Sequence, residues 1–147
     1  MPVVAKIYGW AFAAEMGAVV TLWYNGLGWD DAQVLTLCEA LRAAHADGGL
    51  RKLEKLDLQR NQMGDGAAAA LAALLEEGAM PNLKVLNLAG NQIGDDGVAA
   101  LASALRGGAL PSCTKIALAG NPGSGDPVKE ALASPERAAA LARRQAE

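Results

Sequence analysis

The chain has little of what sites of chemistry are built from. Its 147 residues include one histidine and two cysteines, and aromatic residues make up only 4%. His45 alone leaves no partner set for a Ser-His-Asp triad. No Cys-x-x-Cys, His-Glu-x-x-His or Gly-x-Ser-x-Gly stretch occurs, so metal hydrolysis and nucleophile-elbow chemistry lack their parts. Two cysteines are too few for the disulfide framework of a small secreted domain. Cys38 and Cys113 both stand where an apolar residue is expected and read as buried free thiols. With no Asn-x-Ser/Thr sequon present, an intracellular compartment, cytoplasmic or organellar, is favoured over secretion. Net charge is −3 and no five like charges run together, so the basic stripe of a nucleic-acid binder is missing. The apolar stretch from Ile7 to Trp23 is interrupted by Glu15 and by glycines and falls short of the ~20 residues that cross a bilayer. The chain is therefore not expected to span a membrane.

What is abundant is alanine, and with it a repeat. Leu53-Glu-Lys-Leu56-Asp-Leu58-Gln-Arg-Asn61-Gln-Met63-Gly64-Asp65 recurs thirty residues later as Leu83-Lys-Val-Leu86-Asn-Leu88-Ala-Gly-Asn91-Gln-Ile93-Gly94-Asp95. A further thirty residues lead to Asn121, preceded by Ile116-Ala-Leu118. A first copy, Val20-Thr-Leu22-Trp-Tyr-Asn25-Gly-Leu27-Gly28, is aligned on its asparagine with a displacement of thirty-six. Before each asparagine the apolar residues alternate, the period of a strand with one buried face. After it the spacing becomes helical: Val34, Leu37, Cys38 and Leu41; Leu71, Leu74 and Leu75; Val98, Leu101 and Leu105. An aspartate opens each helix (Asp30 or Asp31, Asp65, Asp95, Asp126), suited to capping its orphan N–H groups. Gly48, Gly78 and Gly107 close the helices, and Pro81 and Pro111 stop them running on.

The form Leu-x-x-Leu-x-Leu-x-x-Asn-x-hydrophobic-Gly-Asp resembles the leucine-rich-repeat family, and its helix-bearing length resembles the ribonuclease-inhibitor-like subclass. The resemblance spans roughly residues 17–133. It implies an α/β solenoid, a short horseshoe segment of about four repeats with irregular ends, parallel strands on the concave face and helices on the convex one. The whole chain, 1–147, reads as one domain: a cap segment over residues 1–16, repeats over 17–133, and a helical tail over 134–147. In the cap, Val3, Ile7, Trp10, Ala11 and Ala14 are spaced for a short helix. Folded over the first repeat, it would set Trp10 near Leu22 and Leu37 and leave some of Tyr8, Phe12 and Trp23 outside. In the tail, Ser134-Pro135-Glu136 starts a helix, and Arg143 and Arg144 suit its C-terminus.

Such a solenoid points to binding rather than catalysis, so no enzyme activity, cofactor or metal is expected. The alternation turns Lys55, Asp57 and Gln59 outward, flanked by Val19, Thr21 and Trp23 on one side and by Val85, Asn87 and Ala89 on the other. Tyr24 and Arg60 hold the position before the asparagine. Aromatic residues and arginine concentrate in the first two copies, which makes Trp23, Tyr24, Lys55, Asp57, Gln59, Arg60 and Asn87 the candidate partner-binding set. Asn25, Asn61, Asn91 and Asn121 form a structural ladder: where the strand leaves the sheet, an amide can both donate to and accept from backbone groups. Paired Asp30/Asp31 and Asp95/Asp96 lack the oxygen set of a calcium loop, and Gly120 to Asp126 lacks the lysine of a phosphate loop. The expected role is a protein-interaction module, an accessory or scaffolding subunit of a larger complex. Two alternatives remain: a GTPase activator using Arg60, implied by other proteins of the subclass, and a fragment of a longer repeat receptor.

Overall fold

A computed structural model describes residues 21–46 and 50–146. The proposed cap of residues 1–16, with Trp10, and the position of Val19 lie outside the described residues. Four strands, β1 (Thr21–Trp23), β2 (Lys55–Asp57), β3 (Val85–Asn87) and β4 (Lys115–Ala117), alternate with α1 (Asp31–Ala46), α2 (Asp65–Glu76), α3 (Asp95–Arg106) and α4 (Asp126–Leu132). A fifth helix, α5 (Pro135–Ala146), follows and packs on α3 and α4. The strands form one parallel sheet in chain order. Each repeat therefore pairs only with its neighbours, as a solenoid requires.

The core is a column of leucines between sheet and helices. Leu53, Leu56 and Leu58 of one repeat are fully buried, and so are Leu83, Leu86 and Leu88 of the next. Each contributes about 1.5–3 kcal/mol by leaving water. The helices close the other side with Leu71, Leu74 and Leu75 in α2 and Val98, Leu101 and Leu105 in α3. The strands are three residues long, so burial and side-chain hydrogen bonds between repeats matter more than the backbone ladder.

The first strand stands in a different register from the one its asparagine suggests. Thr21 pairs with Lys55, Leu22 with Leu56 and Trp23 with Asp57, a displacement of thirty-four rather than thirty-six. Tyr24 then occupies the slot of Leu58, Asn25 that of Gln59, and Leu27 that of Asn61. A two-residue slip leaves Thr21, Leu22 and Trp23 on their expected faces, which is why alternation within the strand could not reveal it.

The helix-opening aspartates also act differently from the sequence reading. Asp30 does cap its own helix, in a reciprocal box with Gln33: Gln33 N donates to Asp30 Oδ1 at 3.3 Å, and Asp30 N donates to Gln33 Oε1 at 2.8 Å. Asp31, Asp65 and Asp95 instead reach forward. Asp31 Oδ1 accepts from Gly64 N at 2.5 Å, and Asp65 Oδ1 from Gly94 N at 2.6 Å and Gly97 N at 3.1 Å. Asp95 Oδ1 accepts from Ser124 N at 3.3 Å. Each carboxylate thus ties down the loop that leads into the next repeat's helix, and Asp65 also reaches that helix's first turn. Gly97 leaves room for this contact: a Cβ there would stand 2.7 Å from both Asp65 Oδ1 and Ile93 Cγ2. At the far end of α3 the left-handed turn falls on Gly108, with φ 94°, one residue after the expected Gly107.

Candidate functional site

The solvent-facing side of the sheet is built from alternate residues of four strands. Trp23 is 62% exposed, the most exposed of the large apolar side chains among the described residues. The Lys55 ammonium lies 4.5 Å from the centre of its ring, a cation–π contact across β1 and β2. Gln59 is half-buried and Arg60 is exposed just beyond the strand. Asn87 is half-buried, and its Oδ1 accepts from Ala89 N at 3.2 Å.

Two members of the expected binding set are not available on this surface. Tyr24 is only 3% exposed because its slot faces the core, where it stacks on Trp29 with ring centres 5.2 Å apart. Asp57 is on the expected face but only 1% exposed. Its Oδ1 accepts from Gln59 N at 3.1 Å, and its Oδ2 from Asn25 Nδ2 at 3.3 Å and Gln59 Nε2 at 3.4 Å. Asp57 therefore organises the surface from beneath, holding Asn25 and Gln59 in place.

Arg60 stands out by its backbone. The same turn position is held by Gly26, Gly90 and Gly120, with φ of 65°, 71° and 78°. Arg60 adopts φ 58° with a full side chain. The left-handed conformation costs a non-glycine residue about 1–2 kcal/mol. Its amide still completes the ladder, donating to Ala89 O at 2.8 Å. The stem of the side chain runs towards Gly90: a Cβ added to that glycine would lie 3.5 Å from Arg60 Cγ.

Behind the sheet, the asparagines are tied into the backbone. Asn61 Oδ1 accepts from Leu27 N at 3.1 Å and Trp29 N at 3.0 Å, while Nδ2 donates to Tyr24 O and Leu58 O, each at 2.9 Å. Asn91 Oδ1 accepts from Met63 N at 3.3 Å, and Nδ2 donates to Leu58 O and Leu88 O, each at 3.0 Å. Asn121 accepts from Ile93 N at 3.0 Å and donates to Leu88 O at 2.8 Å and Leu118 O at 3.0 Å. Asn25 does not share this role, since it is exposed and Leu27 fills the corresponding position.

Residues 49–72 and 79–102 each match the family described as Leucine Rich repeat. The second and third repeats are leucine-rich repeats. Taken with the four parallel strands alternating with helices, they make the fold an α/β leucine-rich-repeat solenoid of about four repeats. No curated protein matches the sequence.

Outside the sheet face, the leucine-rich-repeat solenoid offers few chemical groups. Among the described residues no group of three or more histidine, cysteine, aspartate or glutamate side chains is placed to hold a metal ion, and no helix is long and apolar enough to cross a membrane. Of the apolar stretch Ile7 to Trp23, only Thr21–Trp23 is described, as β1. Cys38 and Cys113 are buried and free. Burial pushes the Cys38 thiol from its ordinary 9.0 up to about 11. The Cys113 thiol is also raised by burial, and its Sγ lies 3.5 Å from Lys115 O. Iodoacetamide at pH 8 is accordingly expected to leave both thiols nearly untouched in the folded chain and to label them quickly once urea unfolds it. Labelling of native chain at the rate of a free thiol would refute this. The unfolded thiol ionises first, so the Cys38 contribution to stability is intact below about pH 9 and declines as pH rises towards 11.

Trp29 and Arg137 were missed by the sequence reading. Trp29 is 1% exposed, and its indole N–H has no hydrogen-bond partner among the described residues. Matching Asp31 to Asp65, instead of Asn25 to Asn61, would have aligned Trp29 with Met63 and Ile93. Arg137 is 4% exposed in a segment that reads as an ordinary solvated helix.

Proposed function

We propose that this solenoid is a non-enzymatic protein-binding module of the ribonuclease-inhibitor-like kind, and that its partner docks on the sheet face of the first two repeats. Leucine-rich repeats typically serve as binding surfaces, and the helix-bearing repeat of thirty residues supports the subclass. Trp23, Lys55, Gln59 and Arg60 form the contact, Asn87 lies at its margin, and Asp57 and Asn25 brace it. The chain would act as an accessory or scaffolding subunit, joined to a protein partner and not to nucleic acid or a bilayer.

The observation that carries this reading is the strained Arg60 in the repeat that pairs with the exposed Trp23. Three repeats place glycine at that turn, and the one arginine falls where the face is richest in large side chains. Stability alone would favour glycine there. Arg60→Gly is therefore expected to raise stability by about 1 kcal/mol while weakening partner capture. Trp23→Ala should leave the fold intact and lower affinity by roughly ten-fold or more, the scale of an interface anchor. Affinity purification from the native source with wild type and each variant, followed by mass spectrometry and a thermal melt, reads both effects. Equal recovery of the same partner by all three chains would exclude this face as the docking surface.

A further inference from the structure

Among the described residues, the fourth repeat lacks three things that every earlier repeat uses to hold its successor. The first is a strand neighbour. Leu58 N and Arg60 N donate to Asn87 O and Ala89 O, and Leu88 N and Gly90 N donate to Ala117 O and Ala119 O, all at 2.8 Å. Leu118 and Gly120 occupy the same places in the fourth repeat, where β4 is the edge of the sheet. The second is the forward aspartate bond. Asp126 opens α4 as Asp31, Asp65 and Asp95 open their helices, yet its carboxylate accepts no hydrogen bond among the described residues. The third is a buried side chain. Trp29, Met63 and Ile93 fill the space behind the loop in the first three repeats. In the fourth, Pro122-Gly123-Ser124-Gly125 supplies no apolar group apart from the exposed proline ring.

These absences meet in one groove. It encloses about 600 Å³ along β4 and is lined by Ile116, Leu118, Gly123 and Leu132, with Lys115 and Lys129 also on its wall. Both lysines are exposed. Helix α5 continues the helical layer on α3 and α4 and is not among the groove's lining elements. An edge strand with outward N–H groups is a template for another strand. A second copy of the chain would leave the two lysines unmatched by any described acid of its first strand, which reads Thr21-Leu22-Trp23.

We propose that this groove receives an extended segment of a partner protein, added as a fifth parallel strand. The segment takes hydrogen bonds from Leu118 N and Gly120 N. It lodges an apolar side chain between Leu118 and Leu132, and it sets acidic side chains against Lys115 on the strand and Lys129 on the helix. Asp126 accepts backbone N–H groups of the incoming chain, as the other aspartates do from the next repeat. This surface is distinct from the face around Trp23, and the proposal does not depend on that one.

The test uses the full chain and a fluorescein-labelled peptide copying residues 82–90, the third strand and its flanks, with Val85→Glu so that the acid falls beside Lys115. Fluorescence anisotropy should show saturable binding. The double variant Lys115→Glu/Lys129→Glu, altered only at exposed positions, should weaken it roughly ten-fold, and the peptide with Val85→Lys should recover binding to that variant. Hydrogen exchange at the Leu118 and Gly120 amides should slow when the acidic peptide is added, while Trp23→Ala binds the peptide as wild type does. The proposal falls if wild type does not bind, if charge reversal changes nothing, if those two amides exchange unchanged, or if light scattering shows that copies of the chain occupy the groove by associating with one another.

Discussion

Asn91→Ala is expected to lower the stability of the fold by about 3 kcal/mol, at the upper end for stranding buried polar groups. Asn91 is 2% exposed and serves backbone groups of two repeats at once. Truncation leaves Met63 N without its acceptor and removes a donor shared by Leu58 O, Leu88 O and Ala89 O. Water cannot easily replace the amide, because Leu58, Leu88 and Met63 are fully buried. For a chain of this length the melting temperature should drop by roughly 6–12 °C. Asn91→Asp sharpens the test. It keeps an acceptor for Met63 N but turns a carboxylate towards three carbonyl oxygens, so it should be at least as damaging. A melt of either variant that overlays the wild type would remove the ladder from the account of stability.

Arg137→Ala should have a comparable effect, near the other end of the molecule. The guanidinium donates through Nη1 to Leu105 O at 2.9 Å and Ala109 O at 2.5 Å, and through Nη2 to Leu110 O at 2.5 Å. These carbonyls terminate α3 and the loop behind it, where unsatisfied acceptors and the negative end of the helix dipole both favour a cation. Ser134 fixes the approach: its Oγ accepts from Arg137 N at 3.1 Å and donates to Ala131 O at 2.8 Å. Losing the guanidinium should cost about 3 kcal/mol, the range for charge-assisted hydrogen bonds made in a buried site. Arg137→Lys should recover only part, because an ammonium cannot span three carbonyls with a planar fork. Urea denaturation gives the loss, and hydrogen exchange should show α5 losing protection first. An unchanged midpoint for Arg137→Ala would mean that α5 is held by its apolar contacts alone.

Both predictions bear on what was legible beforehand. Asn61, Asn91 and Asn121 could be placed because one period of thirty residues separates them and because only an amide offers a donor and an acceptor in so small a group. The first repeat misled for a physical reason. Asn25 has the residue type of the motif's asparagine but stands two places off the register of the strands, and alternation is blind to a shift of two. The same shift turned Tyr24 from a surface residue into core. Asp57 failed differently: alternation states which way a side chain points and says nothing of what lies across it. The forward reach of Asp31, Asp65 and Asp95 was hidden because capping its own helix is the ordinary role of an aspartate at that place. Arg137 was illegible because its acceptors lie twenty-seven or more residues away in the chain, in a loop that shows no side-chain pattern.

The two sets of polar contacts run in opposite directions. Asparagines reach back to the preceding repeat, and aspartates reach on to the following one. A gene segment of thirty codons copied in tandem from the middle of this chain, begun at any point, would carry one of each. Wherever the break fell, the new unit would arrive with its backward amide and its forward carboxylate, and both new junctions would be fully connected. An array joined in this way can lengthen by whole repeats without a compensating change at either neighbour. The fourth repeat departs from the rule: Asp126 follows Asp95 by thirty-one residues where Asp95 follows Asp65 by thirty, and no apolar side chain stands in the place of Met63 and Ile93.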